Sequence, residues 1–291
     1  MFNKIKLFAL IVFCLFFSAP ALAQSGFTVI HPASVGEGEP FILKISGEVT
    51  VEDLEAVWLD KTLSLSGQGK ESEIMLAVPL AAEETEIPLL IRSSQGYRVY
   101  SAMIGVLKKE FPSQSLKVDP RFVNPPESEL SRIQRELEKN RAIYATITPE
   151  RYWKTPLVRP LPGIITSEFG VKRLFNGEPR NRHRGVDFRG AEGVEIKSLA
   201  AGKVVLAENQ YYSGNVVIVD HGLGVYSNYC HMSAFKVKDG DVVKAGQLLG
   251  LVGMTGRVTG PHLHLGFMVL GQSVTPEPLM PDFRPVGERK N

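Results

Sequence analysis

The sequence predicts a mainly β protein in which one helix connects two β-rich parts. Short apolar runs alternate with turn residues from 27 to 119 and again from 164 to 269, whereas apolar residues recur at helical spacing between 124 and 148. A chain of 291 residues is long enough for two domains with their own cores. We therefore divide it into a β domain over 24–119, a helical connector over 120–156 and a second β domain over 157–291.

The first 23 residues have the pattern of a secretory signal peptide. Lys4 and Lys6 precede an apolar run over 7–17, and Ala21-Leu22-Ala23 has the small-x-small form of a cleavage site. The run is too short for a comfortable membrane span, and Cys14 lies inside it, which argues against a lipoprotein signal. We expect cleavage after Ala23 and a periplasmic or secreted chain without stable membrane insertion.

Removal of the signal peptide changes the net charge and the number of cysteines of the chain. The precursor has a formal charge of +2, and the signal peptide removes two lysines and no acidic residue, so the mature chain is near neutral. This balance gives no reason to expect nucleic acid as a partner. Cys230 would be the single remaining cysteine, so no intrachain disulfide is expected.

The first β domain resembles an antiparallel sandwich of immunoglobulin-like character. Its apolar runs are short, and glycine-rich or serine-rich turns separate them. The predicted strands cover 27–31, 41–46, 54–59, 73–79, 87–92 and 97–108. His31 is isolated, and we interpret it as an ordinary strand-end residue.

The connector begins with the signature of a helix N-terminus. Asn124 is predicted as the N-cap, Pro125 as the first helical residue and Glu127 as the partner in a capping box. The apolar stripe that follows persists for only about two heptads, so it predicts a packing face rather than a coiled coil. Thr148-Pro149 is expected to end the helix.

The second domain is predicted to consist almost entirely of strands. They cover 164–169, 194–199, 203–208, 216–220, 224–231, 248–252 and 262–269. The polar stretch over 172–180 is predicted to be a loop, and it forms either one wall of a substrate groove or a plain surface loop.

Four of the six histidines lie in three short segments of this domain. His183 and Asp187 are four residues apart, Tyr229-Cys230-His231 supplies another histidine, and His262 and His264 alternate along a predicted strand and so share one face. A catalytic zinc needs three protein ligands and an open position for water, together with groups that handle protons and stabilise an oxyanion. These segments supply five suitable residues, and the residues alone leave open which histidine has which role.

These segments resemble the lysostaphin-type, or LytM-like, zinc endopeptidases of bacterial cell walls. The matching strings are His-Arg-Gly-Val-Asp at 183–187, Tyr-Cys-His-Met-Ser at 229–233 and Thr-Gly-Pro-His-Leu-His at 259–264. The resemblance implies an antiparallel LytM-like peptidase domain that holds one Zn²⁺ per chain. It assigns His183, Asp187 and His264 as metal ligands, and His231 and His262 as the catalytic pair.

The resemblance further implies a secreted metalloendopeptidase whose substrate is peptidoglycan. The order of the domains and the Phe175-Asn176-Gly177 loop are similar to periplasmic members of Gram-negative type, which favours a D-alanyl–diaminopimelate bond over a pentaglycine bridge. The alternative is a non-catalytic wall-binding protein or an activator of cell-wall amidases. A regulatory protein partner is left unspecified.

Three neighbouring residues also carry expectations. Cys230 stands where the family usually has alanine, and strand alternation predicts a buried, inert thiol rather than a fourth ligand or a redox switch. Tyr229 is expected on the face of His231, where it either donates to the substrate or the oxyanion, or packs. His221 is expected to be structural.

Overall fold

The computed structural model describes residues 26–47, 51, 53–65 and 69–281. The predicted signal peptide lies outside the described residues. Within the described part, none of the helices combines the length and the apolar character that a membrane crossing requires.

The N-terminal part forms two sheets in the described residues. One has the strand order β1-β3-β6, and the other has the order β2-β8-β7-β4-β5. The strands are β1 (Phe27–Ile30), β2 (Ser34–Gly36), β3 (Pro40–Gly47), β4 (Leu54–Trp58), β5 (Lys61–Ser64), β6 (Glu71–Ala77), β7 (Glu86–Ser93) and β8 (Arg98–Leu107). All six predicted strands are present, and the short strands β2 and β5 are additional. The immunoglobulin-like character stays a prediction.

The connector contains a short helix α1 (Pro120–Val123) and a long helix α2 (Glu127–Ala145). The predicted capping box is wrong: Pro126 occupies the N-cap of α2, and no side chain caps that end. Asn124 instead ends α1, where its backbone N–H donates to the carbonyl of Pro120. The consecutive prolines separate these two helices because neither can donate a backbone hydrogen bond.

Helix α2 packs against the second domain. The side-chain amides of Asn140 and Gln210 exchange hydrogen bonds of 3.0 and 2.9 Å, and the ring of Tyr144 meets that of Tyr226 edge-on. The phenol of Tyr226 also donates to the carbonyl of Thr146, just past the helix end. The connector therefore covers one face of the second domain.

The second domain is built on an antiparallel sheet with the order β10-β13-β20-β17-β16-β15-β18. Its strands, with those of a small neighbouring sheet, are β9 (Ser113–Leu116), β10 (Ile165–Ser167), β11 (Lys172–Phe175), β12 (Glu178–Pro179), β13 (Val186–Arg189), β14 (Glu195–Lys197), β15 (Gly202–Gln210), β16 (Gly214–Gly222), β17 (Val225–Phe235), β18 (Val242–Val243), β19 (Leu248–Val252), β20 (His262–Val269) and β21 (Gln272–Val274). All seven predicted strands are present.

The segment predicted as a polar loop is a β-hairpin. Strands β11 and β12 pair through Leu174 and Phe175, and Asn176-Gly177 makes the turn, with both residues at positive φ. Strand β9 adds to the other edge of β11 as a parallel strand. Because β9 precedes the helices in sequence, residues from before the connector help to build the second domain.

The two β-rich parts share one continuous hydrophobic core. The backbone N–H of Thr275 donates to the carbonyl of Gly38 at 2.8 Å, and Arg151 pairs with Glu73 at 2.5 Å. Gly38 has φ +70°, and a Cβ there would lie 2.4 Å from the ring of Phe169. The interface therefore depends on close backbone approach as well as on apolar packing.

His221 belongs to a buried hydrogen-bond network in this core. Its Nδ1–H donates to the carbonyl of Ala201 at 2.8 Å, and its Nε2 lies 2.7 Å from the hydroxyl of Ser227, which also bonds the phenol of Tyr229. Burial lowers the pKa of His221 to about 4. The imidazole is therefore neutral near pH 7, in keeping with the structural role expected for it.

This environment predicts acid destabilisation from His221. Since an unfolded histidine has a pKa near 6.5, unfolding takes up a proton between about pH 6.5 and 4, and the free energy of unfolding falls as the pH drops through that window. The loss from this residue should be about 2 kcal/mol between pH 7 and pH 5. NMR titration of the His221 ring, assigned with His221→Gln, should show it neutral at pH 5. Titration near pH 6.5 would contradict the account.

Candidate active site

The pairing of β13 with β20 brings Asp187 and His264 together. The two residues are direct partners in the antiparallel register, and His264 Nδ1 lies 2.9 Å from Asp187 Oδ1. The chain before β13 returns His183 to the same point, where its Nε2 lies 3.0 Å from both Asp187 Oδ1 and His264 Nδ1. The sheet therefore places three potential ligand atoms within 3.0 Å of one another.

Hydrogen bonds and burial set the protonation states of this triad. His183 is 2% exposed, and its Nδ1 lies 2.8 Å from the carbonyl of Glu168, which can only accept, so Nδ1 carries the proton. Burial lowers the pKa of His183 and keeps the ring neutral. Burial raises the pKa of Asp187, but a hydrogen bond from the ring of His264 lowers it below its usual range. Arg173 donates to the second carboxylate oxygen of Asp187 at 2.6 Å.

These states fit a metal ion. A neutral His183 with its proton on Nδ1 directs the Nε2 lone pair at the Asp187 carboxylate, and two acceptors at 3.0 Å repel each other unless a cation lies between them. The three atoms also have the right spacing, because ligands of a tetrahedral zinc lie about 3.3 Å apart. His183, Asp187 and His264 could therefore hold a metal ion with only a small outward movement.

His231 and His262 lie beside this triad. Their ring centroids are 5.0 Å apart, and His262 Nε2 lies 3.8 Å from Asp187 Oδ1. The Nδ1–H of His231 donates to the carbonyl of Thr255, and that of His262 to the carbonyl of Gly260, each at 2.8 Å. Each ring therefore keeps a lone pair on Nε2. Burial, with the neighbouring histidines, lowers the pKa of His231 to about 3.

A β-bulge directs His231 towards the cleft. Between the Tyr229 and Met232 pairings with β16 the register shifts, His231 has φ +64°, and its backbone N–H donates to the carbonyl of Ser213. Tyr229 is consequently fully buried, and its phenol accepts from the backbone N–H of Leu199 at 2.8 Å. Of the two roles left open for Tyr229, packing is the one that the structure supports.

The thiol of Cys230 is buried, as the sequence predicted. Burial raises its pKa to about 12, so the thiol stays protonated. It packs with Ile218 and Tyr226 on the face that helix α2 covers. Neither a metal ligand nor a redox switch is indicated by this environment.

All five residues singled out from the sequence meet at one cleft, with His183 buried at its floor. The cleft walls also contain residues that lie outside the matching strings: Gln114 and Leu116 from β9, Arg173 from β11, and Arg257 and Val258 from the loop before β20. The sequence partly predicted the role of the segment over 172–180, because a groove wall was one of the two roles expected for it. No sequence motif indicated that residues of β9 would line the cleft.

Comparison with known proteins agrees with this geometry. Residues 181–276, which contain all five residues, match Peptidase family M23. The chain contains an M23 peptidase domain. The match begins at 181 and ends at 276, so it contains strands β13 to β21 and leaves out β10, the β11–β12 hairpin, the connector and the N-terminal sheets.

Relatives of the M23 domain include cell-wall enzymes. The chain is 41% identical over 111 residues to the peptidoglycan DD-endopeptidase ShyA of Vibrio cholerae, an alignment that covers 38% of this chain and 26% of ShyA. It is 38% identical over 112 residues to the DD-carboxypeptidase/endopeptidase Mpg of Neisseria meningitidis, with the same coverage of 38% and 26%. The similarity thus spans about a quarter of these relatives.

One solved structure is similar over most of the chain. A crystal structure described as a peptidase M23 from Pseudomonas aeruginosa is 28% identical with a TM-score of 0.65, and the match covers 85% of this chain and 95% of that chain. The similarity therefore extends beyond the M23 domain to the parts of the chain that precede it.

Gly185 in the M23 domain makes room for the ring of His264. A Cβ at Gly185 would lie 2.6 Å from His264 Cε1 and 2.5 Å from the carbonyl oxygen of Leu265. Gly185→Ala should therefore displace the ring and weaken metal binding by about 10- to 100-fold, the usual effect of disturbing the support of a ligand. Zinc titration with a competing chelator measures this.

The matched control for that substitution is Gly260→Ala. Gly260 lies in the same cleft, and a Cβ there would meet no atom within 4 Å. It should bind zinc as tightly as the unaltered chain. Equal zinc affinity in Gly185→Ala, with circular dichroism showing a folded protein, would show that the close approach has no role in metal binding.

Proposed function

We propose that the chain is a zinc metalloendopeptidase that hydrolyses peptide cross-links of bacterial peptidoglycan. The observation that carries the proposal is the convergence of His183, Asp187 and His264 beside two further histidines whose Nε2 lone pairs are free. Three ligands, rather than four, leave a coordination position for water. The DD-endopeptidase and DD-carboxypeptidase names of the relatives support the class of substrate.

We assign one Zn²⁺ to Nε2 of His183, a carboxylate oxygen of Asp187 and Nδ1 of His264. When bound, zinc supplies a Lewis acid that lowers the pKa of its water towards about 7 and polarises the scissile carbonyl. Arg173 holds the second oxygen of Asp187 and so fixes the orientation of the carboxylate. The Nδ1–H of His183 is fixed in the same way by the carbonyl of Glu168.

We assign His231 and His262 to proton transfer and to oxyanion stabilisation. Each has its Nδ1 proton fixed by a carbonyl, so Nε2 can accept the proton of the attacking water or, once protonated, donate it. In hydrolysis of the peptide bond, the water oxygen bonds to the carbonyl carbon and the amide C–N bond breaks. The proton taken from the water passes to the leaving amine. Two histidines side by side can divide these steps between them.

The D-alanyl–diaminopimelate link is our proposed bond. The DD-type names of the relatives favour it over a glycine bridge. The same site would accept a terminal D-alanyl–D-alanine link, since one relative is named as both carboxypeptidase and endopeptidase. The alternative, a non-catalytic activator, has no need of an intact metal triad with two oriented histidines.

We further propose that the chain acts outside the cytoplasmic membrane, after cleavage behind Ala23. The motivation is the signal-like N-terminus together with the cell-wall relatives. N-terminal sequencing of the native protein should begin at Gln24, and an intact Met1 would exclude export by this route.

Substitution of the two alternating histidines of β20 separates metal binding from proton transfer. His264→Ala removes one of three proposed ligands and should lose most of the zinc together with activity. His262→Ala should keep near-stoichiometric zinc while hydrolysis falls by about 10²-fold or more, the scale of one acid–base or oxyanion group. The measurements are zinc content by mass spectrometry and conversion of dimeric muropeptides to monomers.

His31→Ala serves as the control, because His31 directly follows β1 in the N-terminal part and bonds Tyr100. It should change neither zinc content nor hydrolysis. Loss of zinc in His262→Ala with retention in His264→Ala would reverse the assignment. Stoichiometric zinc in every variant without any muropeptide conversion by the unaltered chain would favour the non-catalytic alternative.

A further inference from the structure

Arg257 is a rigidly held guanidinium on the wall of the cleft. Its charged group lies 4.6 Å from the ring centroid of Tyr212 and 5.0 Å from that of Phe175. Its backbone N–H donates to the carbonyl of Tyr212 at 2.9 Å. Stacking on aromatic faces leaves the N–H groups in the plane of the guanidinium free to point outwards.

The loop beneath Arg257 is fixed by close packing. Gly256 has φ +75°, and a Cβ there would lie 2.4 Å from the backbone nitrogen of Gly214. One residue earlier, the hydroxyl of Thr255 donates to the carbonyl of Met232, and the carbonyl of Thr255 holds His231. The segment that orients His231 therefore also positions Arg257.

Within the described residues, Arg257 has no carboxylate partner. The neighbouring cations differ in this respect, since Arg173 pairs with Asp187 at 2.6 Å and Arg180 with Glu178 at 2.7 Å. Burial, with the charges of Arg173 and Arg180, lowers the pKa of Arg257, yet a guanidinium remains protonated. A half-buried cation without a counter-ion is costly and is stabilised by any anion that enters the cleft.

The position of Arg257 suggests which anion that is. It lines the same cleft as His231 and His262, the two residues proposed to act on the scissile amide. In a D-alanyl–diaminopimelate link, the carbon that bears the scissile nitrogen also bears a free carboxylate. Bonds inside a glycine bridge have none. Arginine matches a carboxylate with two parallel N–H donors.

We propose that Arg257 binds the substrate carboxylate next to the cleaved amide and thereby selects DD-type links over glycine bridges. The inference rests on the proposed peptidase function and adds to it a residue that determines specificity. Arg257 is a binding residue in this account, and it takes no part in holding zinc or in moving protons.

The test compares two synthetic cross-linked peptide dimers that differ in one group. In the first the carboxylate beside the scissile amide is free, and in the second it is a carboxamide. The zinc-loaded protein should hydrolyse the acid with a kcat/KM about 10- to 100-fold higher than the amide, the scale of one charge-assisted hydrogen bond. Arg257→Gln should lower kcat/KM for the acid by the same factor and leave the amide unchanged.

Two further variants sharpen the comparison. Arg257→Lys keeps the charge and loses the planar pair of donors, so its preference for the acid should be intermediate. Arg121→Gln is the matched control, because Arg121 also stacks on an aromatic ring, that of Phe122, but does not line the cleft. It should keep the full preference, and all variants should keep their zinc.

An equal preference for the acid in the unaltered chain and in Arg257→Gln would overturn the inference while leaving the peptidase function intact. If the unaltered chain hydrolyses neither peptide, the result counts against the proposed peptidase function. The role of Arg257 is then tested by peptide binding. Calorimetry with the His262→Ala protein should show tighter binding of the carboxylate peptide than of the carboxamide peptide. The double variant His262→Ala/Arg257→Gln should bind the two peptides equally. Equal affinities in His262→Ala would overturn the inference on their own.

Discussion

The convergence of three electron-pair donors, from His183, Asp187 and His264, is the constraint on which the site depends. Antiparallel pairing of β13 and β20 sets Asp187 opposite His264, and the carbonyl of Glu168 fixes His183 with its lone pair towards the same carboxylate. Such an arrangement is repulsive without a cation and stabilised with one. Gly185 is required here because its missing side chain leaves space for the His264 ring.

A second constraint links His231, the proposed proton-transfer residue, to Arg257, the proposed specificity residue. The bulge at His231 breaks the alternation of β17 and turns this ring into the cleft. There its Nδ1–H donates to the carbonyl of Thr255, in the loop over 253–261. The same loop carries Arg257, while the hairpin β11–β12 supplies Phe175, whose ring centroid lies 5.0 Å from the guanidinium. Strand β9 supports that hairpin from outside the M23 match. Residues distant in sequence thus line one cleft.

Sequence patterns predicted most strands and all five residues that meet at the cleft, because alternation and ligand spacing are local properties. They failed where two local patterns compete for one segment. Asn124 has the sequence of an N-cap but ends α1 through a hydrogen bond to Pro120, and the polar segment over 172–180 forms a hairpin around Asn176-Gly177. Strict alternation also misplaced Tyr229, since a bulge leaves no signature in residue type. Arg257 could not be singled out because its significance depends on the rings of Phe175 and Tyr212.

The most direct test of the account is the position of the metal itself. Diffraction from crystals of the zinc-loaded chain at the zinc absorption edge should place one ion about 2.0–2.2 Å from His183, Asp187 and His264. His231 and His262 should lie beside the ion without binding it, and a non-protein ligand should occupy the fourth position. An ion bound by His231 or His262, or one closed off by four protein ligands, would contradict the account.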